Sequence, residues 1–340
     1  MTFLRPTFLL MALALGFNAF AANVRKAPTR PGAADNAGAF KGAIVMDAAT
    51  GNVILEDRAD VVTPPASMTK LMTFAVIYDA LQKRTLTLES PVTVTAADSK
   101  IGGTKVWLKQ GEIFPVEELL YAMMIQSAND AAYALARTTA GSVEAFVERM
   151  NAKAQEFGMS HTTFRTPHGL PPANRRIDEG DVSSPRDFAL LSRHLVSSTD
   201  VLKYTSVKER PFGPPVRAQA VAMRNHDNLI GKVAGVDGLK TGFTSGAGFC
   251  LAATAQRNGL RVIVVVMGSP DSKSRDLKVS EFIERGFATM PVTPAATAAT
   301  PSTSSSPISP APAAAARPAS APPPPPANGS PAIKLLIPKK

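Results

Sequence analysis

Residues 236–267, VDGLKTGFTSGAGFCLAATAQRNGLRVIVVVM, carry the strongest β-strand signals of the sequence. They contain three runs of predominantly apolar or alternating residues, at 236–244, 249–256 and 261–267, and runs of this kind and length favour β-strands. Asn258-Gly259, between the last two runs, is the dipeptide typical of a two-residue hairpin turn. The stretch therefore predicts three consecutive antiparallel strands.

Two shorter strand-like runs lie near the other end of the chain, at residues 42–47 and 53–57, and the loop between them predicts a second hairpin. Most of the chain between the two sets of strands has the spacing and the capping residues of helices. The predicted helices are Ser67–Gln82, Val116–Gln126, Asp130–Thr139, Ser142–Phe157, Ser184–Ser197 and, after the last strand, Ser272–Met290.

This order of elements predicts an α+β fold. Strands from both ends of the chain form one antiparallel sheet, terminal helices pack on one face of the sheet, and a large helical insertion lies beside it. The globular part is expected to span residues 40–290.

The first residues have the layout of a secretory signal peptide. Arg5 supplies the positive start, residues 8–17 form an apolar run, and Ala19-Phe20-Ala21 is a small-x-small cleavage site. The run is shorter than the ~20 residues that a membrane span needs. We therefore predict that residues 1–21 are removed on export, with a retained anchor as the alternative.

Biased segments flank the globular part on both sides. Residues 22–39 are rich in Ala, Pro, Gly and charge and predict a flexible leader. Residues 291–340 consist largely of Pro, Ala, Ser and Thr and predict a disordered tail. At its end, residues 332–340 place Ile and Leu among lysines, so a membrane-touching tip and an unstructured end both stay open.

Charge and cysteine content limit the function classes. The formal net charge is +10, but an exported protein rarely meets nucleic acid. An anionic polymer outside the cytoplasm is therefore the better partner, with plain solubility as the alternative. Cys250 is the only cysteine, so no intrachain disulfide can form, and its apolar surroundings predict a packing role.

Ser67-Met68-Thr69-Lys70 is the first motif with chemical content. Pro64-Pro65 ends any strand, so Ser67 is predicted in the first turn of a helix with Lys70 on the same face. A serine hydroxyl needs a neighbouring base to become a nucleophile, and a lysine with a lowered pKa can be that base. Alone the motif is weak, because any helix start can carry it.

Two further motifs follow in the chain. Ser127-Ala128-Asn129 lies between two predicted helices, where its serine could relay a proton and its amide could hold a substrate. Lys240-Thr241-Gly242 lies on a predicted strand, where it could bind a carboxylate and leave room for a substrate against the backbone. Each has an ordinary structural alternative, a capped helix boundary or a strand end. The three together, in this order and context, are far more specific.

With these motifs the sequence resembles the low-molecular-weight penicillin-binding proteins, which are serine-type D-alanyl-D-alanine carboxypeptidases. The resemblance covers nearly all of residues 40–290 and includes Thr166-Pro167-His168-Gly169-Leu170, similar to the family's Pro-His-Gly-Leu segment. It implies a fold shared with β-lactamases, an antiparallel sheet between helices, which agrees with the predicted architecture.

The resemblance also implies roles for single residues. The nucleophile is Ser67, its base is Lys70, and Ser127 with Asn129 lines the second side of the cleft. Lys240 and Thr241 meet the terminal carboxylate of the substrate, and backbone N–H groups of Ser67 and Phe243 form an oxyanion hole. Additional cleft residues are implied at Gly242, at Arg275 as a carboxylate-binding arginine and, with one residue of alignment slack, at Arg224.

The sequence departs from the family pattern in three places. Phe243 follows the third motif where well-known members have His, and Ala128 stands where Gly is common. The β-sandwich domain that follows in many carboxypeptidases is not seen, and the Pro/Ala-rich tail takes its place. Because endopeptidase members also lack that domain, cleavage of cross-links stays open.

The expected reaction follows from the resemblance. Ser67 attacks a D-Ala-D-X bond of a peptidoglycan stem peptide, the C-terminal residue leaves, and water frees the acyl-enzyme. β-Lactams mimic this substrate and are expected to acylate the same serine. The four histidines are scattered, so no metal and no other cofactor is expected. The enzyme is expected in the periplasm or at the cell wall, with peripheral contact to the inner membrane left open.

Two other functions compete with this interpretation. A class A β-lactamase needs a glutamate-led loop, but residues 158–185 contain only the acids Asp178, Glu179 and Asp181, without Glu-x-x-Leu-Asn. A penicillin-responsive receptor would need a membrane span joined to a signalling domain, and the sequence shows neither.

Overall fold

The computed structural model describes residues 39–290, except Arg175, Ile177 and Asp178. The predicted signal peptide (1–21), the tail (291–340) and all but the last residue of the leader (22–39) lie outside the described residues. In the described part of the chain, no helix is both long enough and apolar enough to cross a bilayer.

A five-stranded antiparallel sheet is built from both ends of this region, in the order β2-β1-β9-β8-β7. The strands are β1 (Gly42–Asp47), β2 (Val53–Asp57), β3 (Pro91–Thr93), β4 (Ile113–Pro115), β5 (Glu209–Phe212), β6 (Val221–Arg224), β7 (Val236–Thr244), β8 (Gly248–Arg257) and β9 (Leu260–Ser269). Asn258-Gly259 forms the β8–β9 turn with both residues at positive φ, as the sequence predicts. The predicted sheet strands are confirmed.

The helices agree closely with the predicted ones. They are α1 (Lys70–Gln82), α2 (Ala96–Lys100), α3 (Val116–Ile125), α4 (Asn129–Ala140), α5 (Val143–Glu156), α6 (Pro185–Ser198), α7 (Leu202–Thr205) and α8 (Ser272–Thr289). Ser142 and Ser184 cap α5 and α6 by accepting a hydrogen bond from the backbone N–H three residues on. Helices α2 and α7 and the two-stranded sheets β3–β4 and β5–β6 were not predicted, because such short elements have too few residues to show a period.

The sheet buries both of its faces. Alternate residues of β1 divide between two cores, with Ile44 in the larger one and Val45 in the smaller. The smaller core joins the sheet to α8 through Phe282 and Ile283, and the larger one joins it to α1, α3, α4 and α6. Each fully buried aliphatic or aromatic side chain contributes ~1.5–3 kcal/mol. The predicted α+β class and the helical insertion beside the sheet are confirmed.

Strand β7 is one edge of the sheet, and the chain just before α1 packs against it. At this contact Gly242 has no room for a side chain, because a Cβ there would lie 2.5 Å from the carbonyl oxygen of Pro65. The missing side chain of Gly242 therefore makes room for the segment that leads to Ser67, and its contact with a substrate stays a prediction. Close packing of β7 against this segment brings two of the three motifs together.

Candidate active site

Ser67 lies in a 3₁₀ turn, Ala66–Thr69, and not in the first turn of the α-helix as predicted. The α-helix itself begins at Lys70. In a 3₁₀ turn the side chains at i and i+3 eclipse each other, so the turn aligns these two side chains. The Nζ atom of Lys70 lies 3.0 Å from the Oγ atom of Ser67.

Lys70 is fully buried and has two further hydrogen-bond partners. Its Nζ atom lies 2.6 Å from Oδ1 of Asn129 and 2.8 Å from the carbonyl oxygen of His168. A neutral amine has two N–H donors and one lone pair. The two oxygens accept those donors, and the lone pair is left to accept the hydroxyl proton of Ser67.

Burial holds the pKa of Lys70 well below its usual 10.5, and the charge of Lys240 lowers it further. The charges of Asp181 and Asp130 act in the opposite direction, but neither forms an ion pair with Lys70 among the described residues. Burial without a paired carboxylate favours the uncharged amine. The site therefore offers a base beside a hydroxyl.

The second motif contributes Asn129 directly to this cluster. Its Oδ1 atom binds Lys70, while its Nδ2 atom donates to the carbonyl oxygen of Gly102 at 2.9 Å. Ser127 is buried between α3 and α4 at φ +63, but in the described part of the chain it forms no hydrogen bond to Lys70 or Lys240. This amide thus positions the lysine, and its contact with a substrate stays a prediction.

The third motif places a second buried lysine beside the first. Lys240 on β7 donates to the carbonyl oxygen of Thr241 at 3.1 Å. Burial lowers the pKa of Lys240 to about 7, with Asp227 raising it and Arg275 lowering it. Phe243, at the outer end of this strand, is 55% exposed, and its ring stacks on Phe249.

The two arginines predicted for the cleft are placed differently. Arg275 is buried at the start of α8, where its guanidinium binds Asp276 and its charge acts on Lys240. The side chain of Arg224 is 81% exposed and pairs with Glu209 at 2.8 Å, while its backbone N–H donates to Gln126. The structure thus brings Arg275 to the third motif and leaves Arg224 at the rim.

Two residues that support the lysine were not singled out as site residues. The loop that contains His168 supplies a backbone carbonyl to Lys70, and Asp181 holds the same loop by accepting bonds from Thr166 and Arg165. Asp181 also accepts from Thr69, next to the nucleophile candidate. The His168 ring is uncharged, since burial lowers its pKa to about 3.

Gly169 in this loop gives a testable prediction. An added Cβ would overlap the carbonyl oxygen of Ala66, and the φ of Gly169 is +84. We expect Gly169→Ala to lower the free energy of unfolding by about 1–2 kcal/mol for left-handed strain and about 1–3 kcal/mol more for overpacking. Thermal or denaturant unfolding measures this loss.

Gly158→Ala is the matched control for that prediction. Gly158 has φ +71, but an added Cβ there meets no atom within 4 Å. We expect only the strain penalty, and equal losses in the two variants would contradict the proposed packing of Gly169 against the Ser67 turn.

The chain is similar in sequence and in fold to proteins of one family. Residues 28–271 match the model of a family described as D-alanyl-D-alanine carboxypeptidase. The chain is similar to the D-alanyl-D-alanine carboxypeptidase DacF of Bacillus subtilis, at 34% identity over 73% of this chain and 62% of the relative. The chain thus spans less than two thirds of that relative's length.

Two other similarities bear on the site. The D-alanyl-D-alanine endopeptidase of Pseudomonas aeruginosa is 33% identical over 66% of this chain and 70% of its own. The solved structure of penicillin-binding protein D2 from Listeria monocytogenes in its ampicillin-bound form has a TM-score of 0.65 and 31% identity, covering 73% of this chain and 97% of that one.

Proposed function

The chain belongs to the D-alanyl-D-alanine carboxypeptidase family, and on that premise we propose that it removes the C-terminal D-Ala from peptidoglycan stem peptides through an acyl-enzyme on Ser67. The observation that carries the proposal is the 3.0 Å approach of the buried Lys70 amine to the Ser67 hydroxyl. A nucleophile within hydrogen-bond reach of a base that is itself oriented by other groups is the arrangement that covalent catalysis needs.

Acylation begins when Lys70 takes the proton of the Ser67 hydroxyl. The Oγ atom attacks the carbonyl carbon of the penultimate D-Ala, and the negative charge develops on the carbonyl oxygen. Backbone N–H groups of Ser67 and Phe243 are proposed to bind this oxyanion, and each such donor typically lowers the barrier by ~2.7–4 kcal/mol. Ser127 is proposed to pass the proton to the amine of the departing D-Ala.

The carboxylate of the leaving residue is proposed to bind at the third motif. Arg275 and, when it is protonated, Lys240 supply buried positive charges there, and Thr241 supplies a hydroxyl. A bound anion favours the protonated form of Lys240, whose pKa lies at about 7 in the free enzyme. A free C-terminal carboxylate is therefore part of the substrate that this site selects.

Water then frees the acyl-enzyme, with Lys70 again as the base. A β-lactam is proposed to acylate Ser67 in the same way and to remain bound. A β-lactamase is the less favoured function because both carboxylate oxygens of Asp181 are used to hold the Thr166 loop, and Glu179 pairs with Arg176.

Cleavage of cross-links is the second candidate, favoured by the similarity to the Pseudomonas endopeptidase. Digestion of purified peptidoglycan separates the two functions. We expect free D-Ala from uncross-linked pentapeptides, with cross-linked dimers unchanged. Loss of dimers without release of D-Ala would overturn the carboxypeptidase assignment in favour of the endopeptidase.

We further propose that the enzyme acts outside the cytoplasm, in the periplasm or at the cell wall, after removal of residues 1–21. The signal-like layout of these residues supports this location. A mature N-terminus at Ala22, read by mass spectrometry of the exported protein, is the expected result. Recovery of Met1 on the mature protein would contradict cleavage.

A further inference from the structure

Trp107 is the only tryptophan of the chain, and 56% of its surface is exposed. Its φ of +54 places it in the left-handed region, which is unfavourable for any residue with a Cβ and an outlier for a bulky one. Such a conformation persists only where the surrounding structure imposes it, and it is found most often at functional sites.

Hydrogen bonds from two side chains hold the backbone of Trp107 in this conformation. The buried carboxylate of Asp130 accepts bonds from the N–H groups of Val106 (3.3 Å) and Leu108 (3.0 Å). The guanidinium of Arg217 donates to the carbonyl oxygens of Val106 and Trp107, both at 2.8 Å. Four side-chain-to-backbone bonds therefore hold an indole outside the core.

The same short segment of α4 connects this loop to the active site. Asp130, which binds the loop, follows Asn129, which binds Lys70. The backbone N–H of Asn129 also donates to the carbonyl oxygen of Thr104, three residues before Trp107. Trp107 thus lies on a loop that is bound to the start of α4, where Asn129 contacts Lys70.

Two other exposed apolar residues adjoin, in sequence, the Glu112–Arg217 ion pair that anchors the Trp107 loop. Ile113, which is 51% exposed, follows Glu112, and Val216, which is 45% exposed, precedes Arg217. We call Trp107, Ile113 and Val216 the Trp107 platform. A rigid exposed aromatic residue is typical of a binding surface.

We propose that the Trp107 platform is a saccharide subsite that binds a pyranose ring of the glycan strand to which the stem peptide is attached. The proposal rests on the proposed function. The flat face of a pyranose presents C–H groups that match an indole ring, whereas the methyl groups of D-Ala offer little apolar area. An extended stem of about five residues spans at most roughly 17 Å, which suits a subsite fixed next to the catalytic cluster.

Fluorescence of the full chain tests binding directly, because Trp107 is its only tryptophan. We expect a saturable change on addition of glycan strands stripped of their stem peptides. No change with glycan, or a change only with free stem peptide or with phospholipid vesicles, would overturn the proposal. Glycan binding does not require Ser67 to react, so this result is independent of the failure or success of the proposed function.

Trp107→Ala tests the consequence for the substrate. Alanine keeps the Cβ, so the variant removes the ring without relaxing the backbone. We expect the ratio of kcat/KM for glycan-linked over free stem peptides to fall about tenfold, the loss typical of one aromatic anchor. An unchanged ratio would overturn the proposal, whether kcat/KM falls equally for both substrates or for neither of them.

Val53→Ala is the matched control, since Val53 is an exposed apolar residue on β2, at the edge of the sheet opposite β7. It should leave the ratio and the fluorescence response unchanged. Covalent labelling of the wild type by penicillin is measured in parallel, and its absence would count against the proposed function and not against the subsite.

Discussion

Ser67→Ala is expected to abolish release of D-Ala and covalent labelling by penicillin, with kcat reduced on the order of 10⁴-fold or more. The reason is that the acyl-enzyme needs the Oγ atom that lies 3.0 Å from Lys70. Residual binding of a β-lactam should become reversible. Gel labelling with a fluorescent penicillin measures the loss of the covalent adduct, and stopped-flow kinetics measure the rate of acylation.

Ser197→Ala is a suitable control for this variant. Ser197 is an exposed serine of α6 whose hydroxyl bonds to carbonyl oxygens of its own helix, those of Arg193 and His194. It should label at the wild-type rate. Labelling that survives in Ser67→Ala would mean that another residue is the nucleophile.

Lys70→Met is expected to slow acylation by about 10²–10⁴-fold, the usual contribution of a general base. Methionine fills the buried space of the lysine but cannot accept the Ser67 proton. Lys70→Arg should fail as well, because a guanidinium stays protonated in proteins. The acylation rate constant measures this loss, and a Lys70→Met rate within tenfold of the wild type would remove Lys70 from the mechanism.

The lowered pKa of Lys70 also predicts how the stability of the wild type relative to Lys70→Met depends on pH. In the folded protein the Lys70 amine loses its proton well below pH 10.5. In the unfolded chain the same amine keeps its proton up to about pH 10.4. Between these values the unfolded state binds more protons, so the contribution of Lys70 to stability rises with pH. The free energy of unfolding of the wild type relative to Lys70→Met should therefore increase as the pH rises toward 10, which denaturant unfolding at several pH values measures. Acylation by the wild type should fall as the pH drops through the pKa of the folded state.

The sheet could be predicted from sequence because its strands are long, apolar and separated by strong turn signals. The run at 261–267 is buried on both faces, and Asn258-Gly259 adopts the expected turn. The start of α1 could not be placed in the same way. A 3₁₀ turn and the first turn of an α-helix have similar sequence signals, and packing against Gly242 favours the tighter form.

The site was predictable where side chains do the chemistry and unpredictable where the backbone does. Ser67, Lys70 and Asn129 carry recognisable side chains, and the structure brings them together. The His168 carbonyl has no side-chain signature, since any residue could supply it. The Thr166–Leu170 segment signalled that the loop matters without showing which atom contacts the lysine.

Peptide mapping of the penicillin adduct shows which residue is acylated. After reaction with a β-lactam and digestion with trypsin, we expect one added acyl group on the peptide of residues 59–70, ADVVTPPASMTK, localised by fragmentation to Ser67. Lys70→Gln lacks the tryptic site after residue 70, so its corresponding peptide is residues 59–83. After reaction for the same short time, that peptide should carry almost no adduct. An adduct on any other residue would contradict the claim that this lysine activates this serine. An adduct yield in Lys70→Gln equal to that of the wild type would contradict it as well.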